Sequence, residues 1–305
     1  MSPPTRSSIS GFLPRMRMFL VRQDLKFARI SLRWLNLRNR TSRLPIVASD
    51  GPVVSLTTHG RRINTVHLTL ESIASGSVLP RRIILWIDDE LEFKTRPRAL
   101  RRLEDRGLET RLTQNYGPHT KYYPYIQSIQ AFETPLVTAD DDILYPDTWL
   151  SGLVRSFNEG STVVSCYRAH VISLVRNEIA PYISWLQCSS ERPSFLNFAT
   201  GSYGCIYPPL LLRKLRASGS EFKQLCPKAD DVWLHVCAMR AGVKIKQIAR
   251  RPAKFPLLPG TQYECLCLSN VELGQNDIQI KNTYKSADIE LLQSYAREMP
   301  KPAGV

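Results

Sequence analysis

Leu136-Val137-Thr138-Ala139-Asp140-Asp141-Asp142-Ile143-Leu144-Tyr145-Pro146 reads as a short buried strand that runs straight into three carboxylates. Like charges on adjacent residues repel, and each raises its neighbours' pKa. A divalent cation with a polyphosphate removes that cost, because hard cations take oxygen ligands. In α/β sheets, ligands bind outside the carboxyl ends of the strands. The triplet therefore marks a strand end and a candidate site together. The plainer reading of such a cluster is a solvated turn that caps the next helix.

Outward from the triplet, apolar runs alternate with helical spacing. Val53-Val54-Ser55-Leu56-Thr57 reads as a buried strand, followed by the polar loop Thr58-His59-Gly60-Arg61-Arg62. Val66, Leu70 and Ile73 recur as on a helix that runs to Ala74. Arg82-Ile83-Ile84-Leu85-Trp86-Ile87 is a second buried strand, closed by Asp88-Asp89-Glu90. A helix over 97–103, with Pro97 near its first turn, leads to a third strand over 110–113. The spacing predicts a helix over 121–132, the strand over 136–139, and a helix capped by Asp147 that runs to about Phe157. A strand over 162–166 follows. Beyond residue 170 the rhythm loosens: helices are expected over 210–215, 231–241 and 287–299, and a strand over 243–248. The proline-rich stretch from Pro252 to Pro259 is expected to mark the end of the main sheet. Strands alternating with helices predict an α/β fold with a mainly parallel, doubly wound sheet.

At 305 residues, 43% hydrophobic and 22% charged, the chain has the composition of a folded globular protein. Its seven cysteines form no CxxC pair and no Cys/His zinc spacing, which suits reduced buried thiols in a cytosolic protein. No apolar run is long enough for a spanning helix. The net charge is +14, and residues 1–45 supply about +9 of it, with ten Arg and Lys against Asp24 alone. Leu13, Met16, Leu20, Phe27, Ile30, Trp34 and Leu37 recur there at roughly helical spacing, with Arg15, Arg22, Arg29, Arg33 and Arg40 mostly on other faces. A basic amphipathic helix of this kind suits the interface of an anionic membrane. Simple docking of its apolar stripe on the body, nucleic-acid binding and an organellar presequence are the other readings. The expected layout is a basic arm over 1–48, a catalytic domain over 49–260 and a C-terminal helical extension over 261–305.

The order of these features resembles a nucleotide-sugar glycosyltransferase of the GT-A fold, close to the large inverting family that includes many bacterial polysaccharide enzymes. The resemblance rests on Val53–Thr58, on Ile83–Asp89, on Gly117-Pro118-His119-Thr120-Lys121, on Thr138–Asp142 and on Ala229-Asp230-Asp231-Val232-Trp233-Leu234. It implies a Rossmann-like, mainly parallel central sheet flanked by helices. It also implies a nucleotide-sugar donor (a UDP-sugar first of all), Mn²⁺ or Mg²⁺ as cofactor, and a glycan or lipid-linked acceptor. The expected location is cytoplasmic, peripheral at the inner face of the membrane, with no specific nucleic acid as partner.

By that resemblance Asp142 ligates the metal, Asp140 faces the ribose or the metal's waters, and Asp141 alternates to the other side in a structural role. Asp88 accepts a hydrogen bond from the base, although a turn or cap role explains Asp88-Asp89 as well. Thr57 is the best contact in the nucleotide loop, and Arg61 and Arg62 reach phosphate or stay solvated. Lys121, read as opening a helix, faces the nucleotide. Asp231 is the general base and Asp230 supports it; the plainer reading of the pair is a helix cap. The pair here is Asp-Asp where Glu-Asp is commoner, which leaves the base open between the two. Gly201, in Thr200-Gly201-Ser202-Tyr203-Gly204, lies in the loop that holds the acceptor or the transferred sugar, or in a mere bend before a strand. His170 touches donor or metal, His119 is a loop histidine, and Asn270, Gly274, Asn276 and Asp277 line the acceptor cleft or cap loops. Other readings are a nucleotidyltransferase on a similar sheet, a metal nuclease, and a non-catalytic membrane- or nucleic-acid-binding protein. The first usually opens with a Gly-rich basic loop, of which Thr57-Thr58-His59-Gly60 is a poor version. Against the last two stand the lack of any helix-turn-helix, RRM or zinc-finger signature and the intact Asp142 and Asp231.

Overall fold

The structure is a computed structural model that describes residues 30–261 and 274–298. Leu13, Met16, Leu20, Phe27, Arg15, Arg22 and Arg29 of the arm, and Cys265, Cys267 and Asn270, lie outside the described residues. The chain divides into two units between Ser42 and Arg43. In the first, residues 30–41 are helical and Ile30, Trp34 and Leu37 are exposed. In the second, the backbone is tied into the body from its start: Ile46 N donates to Arg106 O and Ala48 N to Pro80 O, both at 2.9 Å.

The centre of the second unit is a seven-stranded sheet in the order β12-β5-β11-β4-β1-β2-β3. Its strands are β1 (Val53–Thr58), β2 (Arg82–Ile87), β3 (Leu108–Leu112), β4 (Leu136–Thr138), β5 (Val164–Cys166), β11 (Cys205–Tyr207) and β12 (Ile245–Gln247). Every neighbouring pair is parallel except the two made by β11, so β11 alone runs against the rest. The expected α/β class, a mainly parallel sheet flanked by helices, is what the chain adopts.

Alternate residues of each strand feed opposite faces of the sheet. Val54, Leu56, Ile83, Leu85 and Val137 pack on one side with Leu70 of helix Val66–Ala74 and with Trp149 and Leu153 of helix Trp149–Glu159. Val53, Ile84, Trp86 and Leu136 pack on the other with Leu211 of helix Pro209–Ala217 and Trp233 of helix Asp230–Arg240. Burial on both faces is why apolar residues stand at consecutive positions in β1 (Val53-Val54), β2 (Ile83–Ile87) and β4 (Leu136-Val137).

Several expectations change. The helix expected over 121–132 is a 3-10 turn, Gly117–Lys121, followed by the short helix Tyr123–Ser128, after which Ile129 is extended. Lys121 therefore closes a turn and does not open a helix; Pro124, in the first turn of the short helix, lacks the N–H a continuous helix would use. Asp147 caps nothing: Thr148 holds the N-cap position of helix Trp149–Glu159 without a side-chain bond. Helix Gln275–Thr283 was not expected, and the strand allowed for after the bend at 200–204 is β11. Between β5 and β11 the chain builds a hairpin, β7 (Leu174–Val175) with β8 (Glu178–Ile179). It also builds a small antiparallel sheet in the order β10-β6-β9, from β6 (Ala169–Val171), β9 (Leu186–Gln187) and β10 (Asn197–Ala199). Pro252–Pro259 follows the edge strand β12, as expected, but then returns to the acidic loop: Leu144 N donates to Pro256 O (2.9 Å) and Leu258 N to Asp142 O (2.7 Å).

Candidate active site at the carboxyl edge of the sheet

Parallel strands β1, β2 and β4 deliver their carboxyl ends to one rim. The register sets Ser55 beside Thr138 and Thr58 beside Ile87, so the loop after β1 stands between the acidic triplet and Asp88. β11 runs the other way and pairs Cys205 with Thr138, which brings the loop before it, residues 200–204, to the same rim.

Each acid of the triplet has its own setting. Asp141 points inward, accepting from Thr58 Oγ1 at 2.8 Å and Arg62 Nη1 at 2.9 Å, and its carbonyl accepts from Thr69 Oγ1 at 3.0 Å. That is the expected structural role. Asp142 is buried with Arg62 Nη1 3.4 Å from its Oδ2. Burial first, then the Asp140 carboxylate, pushes its pKa up to about 6, with Arg62 pulling the other way. Asp140 is paired with the ammonium of Lys121, and its backbone N–H donates to Tyr145 OH at 2.8 Å. Arg62, expected at phosphate or in water, lies instead on the carboxylates, while Arg61 is exposed.

Lys121 joins this cluster to the second acidic pair. Burial alone would lower its pKa, but Asp140, Asp230 and Asp141 outweigh burial and raise it. Asp230 and Asp231 form the first turn of helix Asp230–Arg240, and the Asp231 side chain accepts from Val232 N at 3.0 Å. Burial raises both acids. For Asp230, Lys121 opposes and Asp140 adds; for Asp231, the Asp230 carboxylate adds, and its pKa reaches about 7. A small cavity beside Asp231 is lined by Val164, Ala199, Tyr207, Leu234 and His235.

Asp88 is half-buried at the end of β2, whereas its neighbour Asp89 caps helix Glu90–Thr95 by accepting from Glu92 N at 2.8 Å. Thr57 spends its hydroxyl within the sheet, donating to Trp86 O at 3.2 Å. A cleft of about 610 Å³ opens beside the ends of β2 and β3, lined by Trp86, Leu112, Thr113, Tyr116 and Gln127. Gly201 has φ +64 and open space where a Cβ would stand. His119 is structural: Nε2 lies 2.8 Å from Cys226 O, Nδ1 lies 2.8 Å from Tyr122 OH, and burial lowers its pKa to about 3. Asp277 accepts from Tyr182 N at 2.7 Å.

No family model matches the chain, and no curated protein is similar to it in sequence. Solved structures are similar in backbone arrangement. TarS 1–349 of S. aureus, in complex with UDP-GlcNAc, is 14% identical over 80% of this chain and 71% of that one, with a TM-score of 0.48. The mannosyltransferase PcManGT from Pyrobaculum calidifontis, with GDP-Man and Mn²⁺, is 14% identical over 92% and 84%, at 0.46. A CMP:2-keto-3-deoxy-manno-octonic acid synthetase complexed with CTP is 12% identical over 75% and 99%, at 0.39. These likenesses concern architecture, not what this chain binds.

Sequence reasoning passed over Thr58 and undervalued Arg62. Their partner Asp141 lies 83 and 79 residues away, so no local spacing signals the contacts.

Proposed function

We propose that the chain is a glycosyltransferase that moves a sugar from a nucleotide-sugar donor to a hydroxyl of a glycan or lipid-linked acceptor, with inversion. One observation carries the reading: a single ammonium, Lys121, couples the acids at the end of β4 to the acid pair on helix Asp230–Arg240. Acids for a cation and an acid for a proton thus share one rim.

The donor set fits a hard divalent cation. It is made of oxygen, and burial and the Asp140 carboxylate push the pKa of Asp142 up to about 6 against Arg62 and Lys121, a cost that a bound cation would relieve. Among the described residues no three His, Cys, Asp or Glu side chains form a ready cage, so phosphate oxygens would complete the shell, as Mg²⁺ sites commonly arrange. Asp142 would hold the ion, with Asp140 beside it. When bound, the cation supplies Lewis-acid neutralisation of the leaving diphosphate. In this reading Asp88 and the cleft beside Trp86 take the base, and Lys121 meets phosphate. Asp231 takes the acceptor's hydroxyl proton. As it does so, the hydroxyl oxygen bonds to the anomeric carbon and the bond to the nucleoside diphosphate breaks on the opposite face. A pKa of about 7 suits a base that works near neutrality.

No helix among the described residues is long and apolar enough to cross a membrane. The exposed Ile30, Trp34 and Leu37 on a basic helix support attachment to an anionic lipid surface. A chain starting at Arg43, which keeps Ile46 and Ala48 in the body, is expected to stay folded but to stop sedimenting with anionic vesicles.

The deciding experiment is thermal stabilisation by UDP or GDP with Mn²⁺, lost in Asp142→Ala. Salt-sensitive DNA binding without any nucleotide effect would overturn the reading.

A further inference from the structure

Among the described residues few buried side-chain polar atoms lack a hydrogen-bond partner, and three of them gather in one place: Arg168 Nε, His170 Nδ1 and Thr200 Oγ1. The β6–β10 register sets Phe198 opposite His170 and Ala199 opposite Ala169, and Thr200 N donates to Arg168 O at 3.2 Å. Residues directly opposite, and residues two apart on a strand, share a face. The three side chains therefore leave the small sheet on the same side. Burial first, then the Arg168 cation, lowers the pKa of His170, which is consistent with that closeness. The Arg168 guanidinium makes no hydrogen bond or ion pair to another described residue.

This patch stands at the rim of the candidate active site. Arg168 lies two residues beyond β5, whose Cys166 pairs with Cys205, and Cys205 pairs with Thr138, two residues before Asp140. Two strand spacings put Arg168 on the order of 10 Å from the triplet. Ala199, next to Thr200, lines the same cavity as Asp231. The loop that follows turns through left-handed residues, Gly201 (φ 64), Tyr203 (φ 70) and Gly204 (φ 103). For a bulky residue such as Tyr203 this is a costly conformation of the kind that collects at ligand sites.

All three unmet atoms can donate: the Arg168 Nε–H, the Thr200 hydroxyl and, in one tautomer, His170 Nδ1–H. A neutral hydroxyl would satisfy Thr200 and leave the guanidinium without a counter-charge. An oxyanion meets both needs. We propose that Arg168 and Thr200, with His170 beside them, bind a phosphate or carboxylate carried by a substrate, on the acceptor or on the sugar being transferred. The proposal rests on the glycosyltransferase reading of the neighbouring acids.

The test is calorimetric titration of the full chain with inorganic phosphate at constant ionic strength, with and without saturating UDP and Mg²⁺. Wild type is expected to bind phosphate equally with UDP in place. Arg168→Met should weaken it about tenfold or more, as loss of a charged hydrogen bond does, and Arg168→Lys should recover part of it. Thr200→Val should weaken it less. UDP affinity should stay unchanged in all three, which also reports folding; if Arg168→Met fails that control, Arg168→Lys and Thr200→Val decide. Unchanged phosphate affinity in the folded variants, or displacement of phosphate by UDP, overturns the site. If phosphate binds through Arg168 while UDP with Mg²⁺ does not bind at all, the glycosyltransferase reading fails and the oxyanion site stands. A comparison of UDP-glucuronate with UDP-glucose then names the source. A loss in Arg168→Met confined to UDP-glucuronate places the oxyanion on the transferred sugar, and no loss for either places it on the acceptor.

Discussion

The two sides of the rim differ in how their charges are met. On the β1–β4 side the chain supplies its own counter-charges: Arg62 bridges Asp141 and Asp142, and Lys121 holds Asp140. On the β6–β10 side Arg168 faces no acid of the described chain, and its neighbours His170 and Thr200 keep buried atoms unbonded. A self-paired network is set before any ligand arrives. An unpaired one is completed by what binds, and it carries a standing cost until then. On the proposed function the first side would orient the substrate and the second would select it.

The largest expected effect tests the acid shared by both sides. Asp231→Asn should lower kcat about 10²–10⁴-fold with UDP binding unchanged; retained turnover would remove Asp231 as the base. The base must be ionised to work, so wild-type kcat/KM should climb as pH rises through about 7, a limb the Asn variant should lack. Next in size is a pair deep in the self-paired side. Glu71 and Arg106 bond to each other at 0% and 3% side-chain exposure, and Arg106→Ala should cost about 3–5 kcal/mol by urea unfolding, since it takes the cation away from a buried carboxylate. A smaller loss would mean that water reaches that half.

The fold also raises the pKa of Asp231, so the protonated form is the favoured one. Its stabilising contribution is complete below the ordinary value of 3.8 and is lost as pH rises through about 7. The Tm advantage of Asp231→Asn over wild type should therefore grow between pH 4 and pH 8, by about 2–4 °C for each kcal/mol. A constant difference would mean the carboxyl is not held in its acid form. The smallest effects sharpen the contrast itself. Arg62→Met should cost about 1–3 kcal/mol by removing the cation that Asp141 and Asp142 share, whereas Arg168→Met should fall within about 0.5 kcal/mol. Equal losses would erase the difference between the two sides.

What the sequence disclosed follows the same divide. β1, β2 and β4 were legible because burial on both faces puts apolar residues at consecutive positions, as in Val53-Val54, Ile83–Ile87 and Leu136-Val137, and the inward turn of Asp141 followed from strand alternation. The three-residue β11 showed only as the strand allowed for after the bend at 200–204, since Cys205-Ile206-Tyr207 is held in the sheet by neighbours on both sides and not by any local pattern. Helix Gln275–Thr283 hid because its sequence is mostly polar, although Asn276, Gln279 and Ile280 are buried. Lys121 was found for its charge but assigned the wrong local structure. The site's acids were readable as motifs; the cations that answer them, and the one that goes unanswered, were set by tertiary contacts.

The reversed strand has a consequence for how this molecule can be altered. β5 and β11 lie side by side, so residues 167–204 leave the sheet and re-enter it one strand spacing apart. A segment whose two ends nearly touch can be exchanged for another of different length at little entropic penalty. The stretch that carries Arg168 and Thr200 is thus free to change length on its outer side, while Ile172, Trp185 and Phe198 anchor its inner side in the core and Ser194 and Asn197 tie it to Ile245.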